Sequence, residues 1–149
     1  MRVFIPATLL DLAADTLPTV EPVVPQLVHS GPDAAEVADY EATEDASLIS
    51  LEMLRDNPLA PARRVVIAVE VKDTAEVAKG LPWKKVAAFL VDGPEATEWV
   101  QAACAATTQD EADDAVAELL ECALEWYAPE ELKLLRKLTA DLTDALPEA

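Results

Sequence analysis

The chain has 149 residues, of which 52% are hydrophobic and 27% charged, with a formal net charge of −18. That length and hydropathy predict one domain able to bury roughly 70% of its unfolded surface without a metal or disulfide staple, and they exclude wholesale disorder. Three glycines and a single histidine, His29, leave little material for glycine-rich phosphate loops or imidazole chemistry.

In chain order, Arg2–Ala7 (RVFIPA) is rich in β-branched and aromatic residues and predicts a strand, with Pro6 where a missing donor does least harm. Thr8 as N-cap and Asp11 at the N3 position open a short helix over residues 9–16. Residues 17–32 hold prolines at 18, 22, 25 and 32, which exclude a long helix and leave room for a short edge strand at Val23-Val24. Asp33, with Glu36 three residues on, starts a helix to about Asn57 whose expected inward face is Val37, Tyr40, Leu48, Leu51 and Leu54. Glu44 and Asp45 interrupt that face and are expected to pair with Arg63, Arg64 or Lys85.

Residues 64–71 (RVVIAVEV) form a near-continuous apolar run, the pattern of a central strand covered on both faces. Residues 72–84 read as a loop with a short helical turn, and residues 85–91 (KVAAFLV) as another strand. Asp92-Gly93-Pro94 starts a helix over about 95–107, with Trp99, Val100, Ala103 and Cys104 inward. The next helix is predicted from about 110 to Trp126, on a stripe of Val116, Leu119, Leu120, Ala123, Leu124 and Tyr127. Asp114, Glu118, Glu121 and Glu125 would then form one acidic row on its opposite face. Pro129 begins a last helix through Leu132, Leu135, Leu138 and Leu142, and residues 143–149 are expected to be a frayed tail. The sum is an α+β fold: a single domain over 1–149, with a small sheet of three or four strands packed by four or five helices.

The charge is segregated. From Asp92 to Glu131 there are twelve acids and no Lys or Arg, whereas residues 57–91 carry a net +3. An acidic field of this kind repels nucleic-acid phosphates and anionic lipid, so neither direct nucleic-acid nor membrane binding is expected. The longest apolar runs fall far short of the roughly 20 residues that span a bilayer, and no secretory signal pattern is present. A cytoplasmic setting follows, with Cys104 and Cys122 as reduced structural thiols.

Catalytic motifs are missing: one histidine beside Ser30 makes no triad, no phosphate-loop motif occurs, and one His with two distant Cys cannot close a zinc site. Acids at helical spacing, above all Glu41 with Asp45, could hold Mg²⁺ or Mn²⁺ for a hydrolase. The expected role is instead a non-catalytic interaction or regulatory module with no cofactor and an unknown protein partner. Trp83, Trp126 and Tyr127, with the acidic row, are its candidate contacts. A homodimer through helices 95–107 and 110–126 fits the same surface. A third reading is an acidic mimic of DNA, which needs carboxylate rows at phosphate-like spacing.

The opening Met1-Arg2-Val3-Phe4-Ile5-Pro6-Ala7-Thr8, Tyr40, Ser50-Leu51, the Arg63–Ala68 strand and the segment Trp126-Tyr127-Ala128-Pro129-Glu130-Glu131 give the chain a resemblance to a family of short actinobacterial proteins, a domain of unknown function. The resemblance covers nearly the whole chain, although the segment between Val71 and Lys85 is shorter than in many relatives. It implies a cytoplasmic actinobacterial protein and no particular activity.

Overall fold

A computed structural model describes residues 1–144. Four strands, β1 (Arg2–Ala7), β2 (Val65–Glu70), β3 (Val86–Asp92) and β4 (Leu124–Tyr127), form one sheet in the order β1-β2-β3-β4, every neighbouring pair antiparallel. Four α-helices are α1 (Ala34–Asp56), α2 (Thr97–Ala105), α3 (Gln109–Leu120) and α4 (Leu132–Asp144), and short 3-10 turns fill several connections. The α+β expectation holds. Residues 145–149 of the expected tail lie outside the described residues, and 143–144 belong to α4.

The sheet is covered on both faces, which is why β2 is nearly all apolar. Val65, Ile67 and Val69 point to one face with Val3, Ile5, Phe89, Val91 and Leu135 of α4. Val66 and Ala68 point to the other, with Phe4 and with Ala42 and Ala46 of α1. In β3 the alternation slips: the register shifts between Ala68↔Ala88 and Val69↔Val86, so Ala87 is an extra residue. The bulge lets Ala87 and Ala88 share one face while Val86 and Phe89 both reach the other. A third cluster joins the C-terminal half of α1 (Leu51, Leu54) to Val100 and Ala103 of α2 and Ala115 and Leu119 of α3.

Several local expectations are corrected. The buried face of α1 is Ala38, Ala42, Ala46, Ser47, Ser50, Leu51 and Leu54, while Tyr40 is 63% exposed. Small side chains let the helix lie close to the sheet, and Ser50 Oγ uses that approach to donate to Ala7 O (2.6 Å) and accept from Val65 N (3.0 Å). Asp33 makes no side-chain cap. Asp11 does reach back to the Thr8 backbone N–H (2.8 Å), the acidic half of the expected capping box, on a 3-10 turn over Leu9–Ala13 in place of a longer helix. Val23 is a single bridge to Phe4 rather than a strand, with hydrogen bonds of 3.0 and 2.7 Å.

The largest correction is at the end of α3. The helix stops at Leu120, and Leu124–Tyr127 is the edge strand β4, pairing with Phe89–Asp92. Strand-forming Leu, Trp and Tyr meet the open edge of β3, and that tertiary pairing outweighs the helical spacing. The predicted acidic row therefore does not exist as one helix face: Asp114 and Glu118 are on α3, Glu121 is its C-cap, and Glu125 is in the strand.

Candidate functional site

The end of the sheet near β4 is built around a buried ion pair. Arg64 enters β2 with Arg64 Nε 2.8 Å from Asp92 Oδ2 and Nη2 2.8 Å from Oδ1, the two side chains 2% and 0% exposed. The fork matches the carboxylate with both oxygens engaged. The Arg64 backbone N–H also donates to Asp92 Oδ2 (2.8 Å). Nη2 further donates to Leu119 O (3.2 Å), which also accepts the Cys122 backbone N–H (3.0 Å), and to Cys122 O (3.3 Å) in the turn after α3. One side chain thus fixes β2, β3 and the turn from α3 into β4. The expected pairing of Arg64 with Glu44 or Asp45 is not made: Glu44 is half-buried and Asp45 exposed.

Beside this joint lies a cavity of about 250 Å³ between α1 and the α3–β4 turn, lined by Tyr40, Glu44, Arg64, Leu90, Leu120 and Leu124 among others. Helix α1 packs over β1 and β2, so the β3–β4 half of this sheet face keeps Ala87, Leu90 and Leu124 only half-buried. Trp126, two residues beyond Leu124 on the same strand face and paired in register with Leu90, is 64% exposed. Tyr40 (63%) and Leu120 (46%) complete an apolar surface. On its outer side, β4 pairs with no other described strand.

The other predicted contacts are scattered. Tyr127 points to the opposite face, packed against the Leu135 side of the core, with its hydroxyl donating to Glu125 Oε2 (3.2 Å). Burial, then the bond to Glu125, pushes its phenol up. Trp83 lies on that opposite face too: its Nε1 donates to Ala14 O (2.9 Å), the Arg136 guanidinium stands 5.6 Å over its ring, and Phe89 is 6.2 Å away. Asp114, Glu118, Glu121 and Glu125 are all exposed.

Glu41 bonds His29 (Oε1···Nε2 3.1 Å) and Asp45 faces solvent. Among the described residues no three His, Cys, Asp or Glu side chains converge as a metal site. Cys104 and Cys122 are free and half-buried. Burial pushes both thiols up, which keeps them protonated and unreactive near neutral pH. No described helix is long and apolar enough to cross a membrane.

A second concavity, of about 450 Å³, opens between the 58–63 segment, α2 and Leu142 of α4. Nothing in the sequence reading singled it out; an Arg-Arg pair at a strand entrance, with only one arginine able to reach the carboxylate across the ladder, is the signal it left.

The chain belongs to a family of unknown function, DUF6912, whose model matches residues 1–135. That span includes Tyr40, Arg63, Arg64, Asp92 and Trp126. No curated protein and no solved structure matches the chain.

Proposed function

We propose that the protein is a non-catalytic interaction module that takes a basic segment of a partner protein along the open β4 end of its sheet. The observation that carries this reading is the half-covered face at Leu90 and Leu124, continued by an exposed Trp126 on an edge strand. An incoming strand can pair with β4, and its alternate side chains then fall on Trp126 and the cavity beside it. Four residues of edge offer only about two pairs of backbone bonds, so side chains must supply most of the affinity. Covering the exposed part of Trp126 would contribute about 2–4 kcal/mol, the size of an interface hot spot.

Charge selects the partner. Both walls of the cavity come from acidic stretches: residues 33–56 hold eight acids and one Arg, and residues 92–131 hold no base. The cation lining it, Arg64, is already neutralised by Asp92. Lys and Arg on a partner are attracted, and a second copy carrying −18 is repelled.

The test is a titration of the full chain with an extended peptide of alternating Lys and Val, followed by NMR. Shifts should centre on Leu90, Leu120 and Trp126, weaken with salt, and be absent for the Glu–Val counterpart. Trp126→Ala should abolish binding while changing stability by no more than about 0.5 kcal/mol. Binding that survives Trp126→Ala, or a dimer that Trp126→Ala dissociates, would overturn the reading.

A further inference from the structure

The second concavity differs from the first in carrying a cation with no counter-ion among the described residues. Arg63 is 9% exposed and lines the cleft, yet among the described residues it makes one side-chain hydrogen bond, Nη1 to Asp92 O (3.1 Å), and no ion pair. Its neighbour Arg64 takes both carboxylate oxygens of Asp92. A guanidinium has five donors in a planar fork, and among the described residues no buried side-chain nitrogen is left without a partner, so the Arg63 donors not bonded to protein keep contact with solvent and are open to an anion. The cleft around it is largely apolar, lined by Leu54, Pro58, Pro61, Val100 and Leu142 among others. Its volume of about 450 Å³ falls in the range of small-molecule pockets.

We propose that this cleft binds an amphipathic monocarboxylate, with the carboxylate on Arg63 and an alkyl or aryl body along Leu54, Val100 and Leu142. One charge fits better than two, because the lining residues include no second cation and the whole chain carries −18. A planar carboxylate also matches the remaining fork of donors. Cys104, which lines the same cleft, contributes a neutral, polarisable contact. No covalent step is involved. The site shares no lining residue with the cavity beside Trp126 and stands independently of the peptide-docking reading.

The experiment is calorimetric titration of the full chain with decanoate, 1-decanol and decyl phosphate, each kept monomeric in solution. Decanoate should bind at least tenfold more tightly than the alcohol and more tightly than the phosphate. Arg63→Leu should erase the preference for the acid over the alcohol, and Arg63→Lys should restore part of it. Ala105→Trp, at an exposed position on the cleft wall, should block decanoate, whereas Trp126→Ala should leave its affinity unchanged. Equal binding of decanoate and decanol by the natural chain overturns the assignment without any variant needing to fold. Tighter binding of decyl phosphate overturns the single charge, and binding that survives Ala105→Trp places the molecule elsewhere.

Discussion

The sheet ends in two edges that are managed in opposite ways. At β1 the chain covers itself: Val23 exchanges two backbone hydrogen bonds with Phe4 and Pro6 removes a donor, while on the inner side the Met1 ammonium extends the pairing with β2 by donating to Val71 O (2.7 Å). At β4 no described segment returns to pair, and the edge is only four residues long, with Glu125 exposed in it. Uncovered edges invite pairing with other chains, and brevity and charge are the usual defences. The difference teaches that an edge can be closed by a tethered segment, or left short and charged, which on the proposed reading shuts it to like-charged copies and leaves it open to basic segments. The first solution uses geometry and the second uses the field.

The comparison is broken most severely by untying the β4 side. Asp92→Asn leaves the Arg64 guanidinium buried and uncompensated. The expected cost is about 3–5 kcal/mol, or a fall of roughly 10 °C or more in melting temperature, read by thermal unfolding. Replacing both members together, Arg64→Met with Asp92→Leu, should cost less than Asp92→Asn alone. At the other edge, Val23→Pro deletes the donor to Phe4 O and should cost about 1 kcal/mol. It should also make the protein associate with rising concentration in sedimentation, through β1 rather than β4.

The smallest effect sharpens the β1 side. Glu76 accepts from the backbone N–H groups of Lys72 (2.7 Å) and Asp73 (3.2 Å), just beyond the Met1–Val71 contact. These bonds hold its carboxyl below the ordinary 4.5. A lowered folded-state value means that its stabilisation is fully present above 4.5 and is lost as the pH falls through the folded value. Glu76→Gln should therefore melt lower than the natural chain at neutral pH, with the gap closing in acid.

Much of this architecture was legible in the residues. The apolar run of β2 announced a strand covered on both faces, and Thr8 with Asp11 announced a cap, because both signals are local. The misreadings share one cause: the deciding partner is distant in sequence. Leu120, Ala123, Leu124 and Tyr127 keep helical spacing, and no Gly or Pro marks the stop at Glu121, so only the waiting edge of β3 turns Leu124–Tyr127 into a strand. Tyr40 looked like core because apolar periodicity weighs size, whereas α1 docks through its alanines and serines. Asp92 read as a turn residue, and only the β2–β3 register places it opposite Arg64. The cleft needed both: Asp92 had to be taken by Arg64 before Arg63 could stand, among the described residues, without an anion.

Arg64 also imposes an order on events in time. Its partners lie 28, 55 and 58 residues further along the chain, at Asp92, Leu119 and Cys122. As the polypeptide leaves the ribosome, β1, β2 and β3 are complete while the carbonyls that finish solvating this guanidinium have yet to be made. Until α3 arrives, water must keep access to the charge, and that end of the sheet cannot dry. Closure of the interior is thereby deferred to a late, long-range event. A nascent chain truncated before Leu119 should accordingly stay open to hydrogen exchange at Val65 and Val91, however well its three strands are paired.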